Sequence, residues 1–206
     1  MISEKKGAIL ILSGPSGCGK STLLKEVYKD IDDYYFSIST TTRDPREGET
    51  EGVDYLFTSK EEFEKDIENG DFLEYANVHG NYYGTSLKPI NAALKEGKLV
   101  IFDIDVQGHE IVREKLDSIV TSVFITTPNL SELETRLNNR ATDSKEVIEK
   151  RIKNAKHEVE FFQDYDYLII NDDLETAAKQ LVSIANITRV KAKLFDKKTI
   201  VSTWLK

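Results

Sequence analysis

The chain has 206 residues, of which 39% are hydrophobic, a length and composition that fit one soluble α/β domain with a sizeable core. Its 28 basic and 36 acidic residues give a net charge of −8, which argues against broad contact with nucleic acid, and no such partner is expected. A single cysteine, Cys18, excludes an intramolecular disulfide, and no apolar run approaches spanning length, so the expectation is a cytoplasmic chain without a membrane partner.

From the N-terminus, Lys5 and Lys6 precede the apolar run Ala8–Leu12, which is too short for a signal peptide and reads as a buried strand. It leads directly into Gly14, Pro15, Ser16, Gly17, Cys18, Gly19, Lys20, Ser21 and Thr22, a match to G-x-x-x-x-G-K-[ST]. Leu23, Leu24, Val27 and Ile31 follow at the spacing of one helical face. Strand, glycine-rich loop and helix together make a phosphate cradle: backbone N–H groups and the helix N-terminus face an anion, Lys20 reaches the outer phosphates, and the Ser21 hydroxyl suits Mg²⁺. The motif therefore implies a nucleoside triphosphate. Cys18 occupies a variable position of the loop and reads as tolerated there.

Tyr34–Ser39, Leu99–Ile104, Val120–Thr126 and Tyr167–Asn171 read as further strands of a parallel sheet. Ser59 with Glu62 forms a capping box ahead of Phe63 and Ile67, with Gly70 as the stop. Pro89 is expected to open a helix that ends at Gly97. Ser131 with Glu134 reads as a second capping box, Lys145–Phe162 as a long helix, and Asp173 as the cap of the last helix. The stretch from Ser39 to Leu87, rich in Thr, Tyr, Gly and charge, reads as an insertion into the phosphate-loop core.

Three further constellations carry chemistry. Arg43 and Arg46 lie three apart in a Pro/Gly-rich loop, with Tyr55, Glu74 and Tyr83 further on; guanidinium forks and phenol donors suit phosphate, whereas an ordinary surface pair of Arg46 with Glu49 is the bland alternative. Asp103 and Asp105 end the run Leu99–Ile104, at the carboxyl end of a strand where ligands of parallel sheets bind, and Asp103 suits Mg²⁺. Arg140 and Arg151 flank a short polar loop, as arginines do on a flap that stabilises a phosphoryl group in flight.

Together the phosphate loop, Ser39–Glu49, Gly80–Thr85 and Asp103–Gly108 resemble the guanylate kinase family over most of the chain. The resemblance implies a P-loop nucleoside-monophosphate-kinase fold: a parallel core (7–38, 88–130 and 158–194), a GMP-binding insertion (39–87) and a small helical lid (131–157). Residues 195–206, with the only tryptophan, Trp204, have no counterpart in it. It implies transfer of the γ-phosphoryl group of ATP to GMP (dGMP also) with Mg²⁺, in a monomer or small homo-oligomer.

Carried over by position, the resemblance places ATP on Gly14–Thr22 and Asn171, and the metal on Ser21 and Asp103. The GMP phosphate falls to Arg43, Arg46, Tyr55 and Tyr83, and guanine to Ser39, Glu74 and Thr85 with Asp105 nearby; Glu49 and Asp103 complete the GMP set. Lys20, Arg43, Arg140 and Arg151 become the catalytic groups. The base chemistry agrees, since one carboxylate accepts both N1–H and the exocyclic amine of guanine, while adenine reverses that pattern. Two positions depart from the common pattern: Ala141 replaces a glycine, and Thr85 replaces a serine while keeping the hydroxyl. The alternatives are a non-catalytic phosphopeptide-binding module of the same type, or a kinase of another small phosphorylated acceptor.

Overall fold

The structure is a computed structural model that describes residues 6–139 and 144–206. Its centre is β1 (Ala8–Ser13), every residue of which is buried, because the strand carries apolar side chains to both faces. Around it, β2 (Tyr34–Phe36), β7 (Leu99–Asp103), β8 (Val120–Thr126) and β9 (Tyr167–Ile170) complete a parallel five-stranded sheet in the order β2-β7-β1-β8-β9. Alternation along β1 divides the core in two. Leu10 and Leu12 pack with α1 (Lys20–Val27), α5 (Leu130–Asn139) and α7 (Leu174–Thr188), while Ile9 and Ile11 pack with Ile90 and Ala93 of α3 (Leu87–Lys95) and Val112 of α4 (Val106–Leu116).

The insertion builds a second sheet. Strands β3 (Thr40–Thr41), β4 (Leu56–Phe57), β5 (Phe72–Val78) and β6 (Asn81–Ser86) run in the order β4-β3-β6-β5, with β3 parallel to β4 and antiparallel to β6. Helix α2 (Lys60–Glu68) starts as its capping box predicts, with Ser59 Oγ accepting from the Glu62 N–H at 3.1 Å. Phe63 of that helix stacks on Phe72 and Tyr82, at ring separations of 4.1 and 5.1 Å, and gives the insertion a small core of its own.

Several boundaries differ from expectation. Strand β2 stops at Phe36: Ser37 N–H still reaches Ile101 O, after which the chain leaves for the second sheet. Helix α1 ends at Val27, and Ile31 enters the core from the following turn. Helix α3 begins at Leu87 under a Ser86 cap, so Pro89 sits third, still in the turn where a missing N–H costs nothing. The cap of α5 is Asn129, whose Oδ1 accepts from the Glu132 N–H at 2.9 Å, rather than Ser131. Asn-x-x-Glu competes with Ser-x-x-Glu two residues on, and Thr127 Oγ1 donating to Asn129 O fixes the earlier start. Helix α6 (Lys145–Glu158) hands over to a 3₁₀ stretch, Val159–Asp164, where one long helix was expected.

Asp173 caps α7 as expected, accepting from Thr176 N–H at 2.8 Å. Beyond it a 3₁₀ turn, Ala192–Leu194, buries Leu194, and α8 (Lys197–Trp204) starts on Asp196. Among the described residues no helix is long and apolar enough to cross a membrane.

Candidate active site

The glycine-rich loop sits at the carboxyl end of β1 and feeds α1, with Gly14 and Gly19 at φ of 143° and 96°. A Cβ on Gly14 would lie 1.9 Å from Ile125 O, and one on Gly19 would lie 2.5 Å from Asn171 Nδ2, so only glycine fits either position. Lys20 Nζ donates to Gly14 O at 2.6 Å and stands 3.8 Å from the Asp103 carboxylate on the neighbouring strand β7. Burial pushes the Asp103 carboxyl above the usual carboxylate range, and Lys20 partly offsets the shift. Gly14, Ser16, Gly17, Gly19, Lys20 and Ser21 share a cavity of about 340 Å³ with Asp103, Asp105 and Glu158.

Glu158, at the end of α6, was missed by sequence reasoning because nothing distinguishes it there from other helix-surface acids. Burial pushes its carboxyl up as well, as the first of several causes. From the same helix Arg151 Nη1 donates to Ser16 Oγ at 2.8 Å, which ties α6 to the loop. Arg140 and Ala141 lie outside the described residues.

Asn171 follows β9, is buried, and donates from Nδ2 to Cys18 O at 2.8 Å, locking the loop from the far side. Cys18 is fully buried, and burial raises its thiol above the ordinary value, so its side chain serves packing. Pro15 O accepts from Cys18 N–H within the loop turn. A further cavity of about 300 Å³ opens between Gly17, Gly19, Thr22, Asn171, Leu174 and Arg136. Arg136, aimed by Glu132 at 2.8 Å, is a second residue the sequence did not single out.

Across the crevice the insertion offers two constellations. A β-bulge between Phe72 and Glu74 breaks the alternation of β5, so the consecutive residues Leu73 and Glu74 both line one cavity of about 310 Å³. There Thr85 Oγ1 donates to Glu74 Oε1 at 2.5 Å, and Ile104 and Asp105 form a wall shared with the phosphate cavity. Asp105 is itself held in place, its Oδ1 accepting from Gly108 N–H at the start of α4. Ser39 is not brought into this cavity: its side chain is exposed, and its carbonyl accepts from Leu56 N–H.

The second constellation centres on Arg43. Its guanidinium lies over the Tyr55 ring, 5.4 Å from the centroid, and Tyr55 packs edge-on against Tyr83. Arg43 Nη2 donates to both oxygens of Glu49, at 2.8 and 2.9 Å, and Glu49 Oε2 also accepts from Arg46 N–H. The Arg46–Glu49 ion pair considered from sequence is thus replaced: Glu49 takes Nη2 of Arg43, whose Nη1 donates to Asp44 O, and only the backbone of Arg46. These bonds hold the Glu49 carboxyl below its usual range, the Arg46 N–H contributing most. The Arg46 side chain is exposed.

Ser21 and Asp103 line the phosphate cavity together, and among the described residues no group of three or more His, Cys, Asp or Glu could hold a metal ion. That sparse donor set fits Mg²⁺, which is held by one or two protein groups and the substrate phosphates.

A phosphate loop on a parallel core, facing an insertion with its own pocket across a shared wall, defines the P-loop nucleoside-monophosphate-kinase fold. Residues 6–187 match the family model described as Guanylate kinase. The chain is similar to the guanylate kinase of Sulfurimonas denitrificans, 58% identical over 203 residues and 98% of each chain, and to that of Helicobacter pylori 26695, 54% identical over 95% of each. Its fold is similar to the crystal structure of guanylate kinase from Anaplasma phagocytophilum, with a TM-score of 0.70 and 32% identity over 99% of this chain and 98% of that one. The chain belongs to the guanylate kinase family, the ATP:GMP phosphotransferases.

Proposed function

We propose that this chain carries the γ-phosphoryl group of ATP to the phosphate of GMP with the residues described above in the following roles. The glycine-rich loop binds the ATP phosphates through its N–H groups, and Lys20 exchanges Gly14 O for the outer phosphates. Asn171 and Arg136 flank the cavity that suits the adenine. Arg43, Arg46, Tyr55 and Tyr83 hold the GMP phosphate, so that Arg43 trades its Nη2 contact with the Glu49 carboxylate for phosphate oxygens. Glu74 accepts the two guanine donors, and Thr85 turns its hydroxyl from Glu74 to O6.

A GMP phosphate oxygen then attacks Pγ while the bond to the β–γ bridging oxygen breaks, leaving ADP and GDP. Ser21 and Asp103 would hold Mg²⁺, which neutralises charge on the triphosphate when bound. Arg151, with Arg140, stabilises the charge on the group in flight. The insertion 39–87 and the lid 131–157 are the parts that close on the core 7–38, 88–130 and 158–194, bringing Ser39 to the base and excluding water. The buried thiol of Cys18 suits a reducing cytoplasm.

The observation that carries the reading is the Glu74–Thr85 pair inside a cavity that shares Asp105 and Ile104 with the phosphate loop. The test is ADP release from ATP and Mg²⁺ with GMP, dGMP, AMP, UMP or CMP as acceptor. Use of GMP and dGMP far above the others is the expected outcome; equal use of AMP would contradict it.

A further inference from the structure

The segment after α7 is folded, lies outside the matched residues 6–187, and lines none of the nucleotide cavities. Its charge is opposite to that of the rest of the chain. Residues 189–206 carry six Lys or Arg against the single Asp196, a net +5 in a chain of net −8. Lys193, Lys197, Lys198 and Lys206 are exposed.

Large apolar side chains stand out among these lysines. Trp204 and Leu205 are 84% and 71% exposed, and Val201 is exposed as well. On α8, Ile200, Val201, Trp204 and Leu205 fall at i, i+1, i+4 and i+5, which is one helical face. Beside it a cavity of about 740 Å³ is walled by Phe195, Ile200, Val201, Ala192 and the stems of Lys193 and Lys197. A folded, capped helix that keeps such a face in water suits a partner whose chemistry is both apolar and anionic.

We propose that this C-terminal face docks reversibly on an anionic bilayer surface, with Trp204, Leu205 and Val201 entering the headgroup boundary and the lysines meeting lipid phosphates. Aromatic and aliphatic groups on one helical face, flanked by lysines, match such a surface. This departs from what composition alone led us to expect. Self-association through the same face would set one lysine cluster against another. A polynucleotide would leave Val201, Ile200 and Leu205 without apolar partners.

The placement suits the activity. Lys6 N–H donates to Leu194 O and Lys191 Nζ donates to Val120 O, so the segment is fixed at the amino ends of β1 and β8, whereas the phosphate loop follows the carboxyl end of β1. A six-residue strand separates the two ends by roughly 20 Å, beyond a Debye length of about 8 Å at physiological salt. The nucleotide cavities therefore face away from the lipid, and of the acidic residues Asp32 and Asp33 lie beside the segment, next to Arg189.

Trp204, the only tryptophan, reports the event directly. The full chain is titrated with phosphatidylglycerol vesicles, phosphatidylcholine vesicles and poly(U), following Trp emission and co-sedimentation with the vesicles. The expected result is a shift to shorter wavelength and sedimentation with phosphatidylglycerol only, weakened by 0.5 M NaCl. Lys197→Gln with Lys198→Gln should weaken partitioning by roughly 25-fold, at about 1 kcal/mol per lysine, and leave ATP:GMP phosphotransfer unchanged. No response to phosphatidylglycerol, an equal response to phosphatidylcholine, or binding to poly(U) in place of vesicles would overturn the proposal. So would a blue-shifted emission in buffer that grows with protein concentration, which would mark a second copy as the occupant.

Discussion

The phosphate loop and the insertion that builds the second sheet are made to different standards. The loop is over-determined: a Cβ on Gly14 or Gly19 would collide with backbone or with Asn171, Cys18 is locked by packing, and Asn171, Asp103 and Arg151 hold the loop from three elements. The insertion stands on two-residue strands and a small aromatic core around Phe63, with Arg46 and Ser39 still facing water. A site that must bind triphosphate anions benefits from dipoles fixed in advance. A site that must admit GMP and then exclude water benefits from an element that moves. The difference teaches how the proposed function divides its labour: on that reading the loop is set for ATP before ligand arrives, and the insertion completes the GMP site by closing.

The largest expected effect breaks the rigid half. Lys20→Ala removes the cation that donates to Gly14 O and that the proposed function turns to the phosphates, and steady-state kinetics should show kcat falling by roughly a thousandfold or more. Retention of a tenth of wild-type kcat would remove Lys20 from that role.

In the insertion, Glu74→Gln sets an amide where the proposed function needs one acceptor for two guanine donors. Leaving a buried polar group unpaired costs about 1–3 kcal/mol, so kcat/KM for GMP should drop roughly tenfold to a hundredfold while the ATP dissociation constant stays put. The ratio of AMP to GMP use should rise. A change in ATP binding of the same size would mean that the two halves are not separable in this way.

A third variant sharpens the contrast by touching neither half. Asp166 takes the Arg113 fork from α4 at 2.8 and 2.9 Å and the Ser122 N–H of β8 at 2.8 Å, pinning the frame beneath the site. Asp166→Asn should lower stability by about 1–3 kcal/mol, roughly 2–10 °C in Tm, with activity at 25 °C kept. Burial pushes the Asp166 carboxyl up, but the Arg113 fork and the Ser122 donors outweigh it and hold the carboxyl below its usual value of 3.8. The unfolded chain therefore binds the proton first. The stabilisation is present above the ordinary value and fades as pH falls through the lower native one. Thermal melts should show this acid loss in the wild type, with a shallower slope in the variant.

The same contrast explains what could be read from sequence. β1, β7 and β8 stand out as apolar runs because both their faces are buried, and the loop stands out because glycine is obligatory at Gly14 and Gly19. The edge strand β9 is equally apolar in sequence, although only Ile169 of its four residues is buried. β3 and β4 do not: Thr40–Thr41 and Leu56–Phe57 become strands only through partners far along the chain. Asn129 lost to Ser131 on paper because two overlapping capping boxes have equal local merit. Arg136 and Glu158 look like ordinary helix-surface charges until folding turns them toward Gly19 and Lys20. Helix α8 went unplaced although Asp196 caps it, accepting from both Thr199 N–H and Oγ1, because no apolar contact deeper than Leu194 announces it.

The claim that the two halves meet only in the presence of both nucleotides is tested most directly by small-angle scattering. The radius of gyration is compared for the ligand-free chain, the chain with GMP, and the chain with GMP plus a non-hydrolysable ATP analogue. Closure of the insertion and lid on the core predicts the smallest radius with both ligands. A radius that stays the same in all three states, together with unchanged kcat in Arg151→Ala, would show a site already assembled and contradict the account.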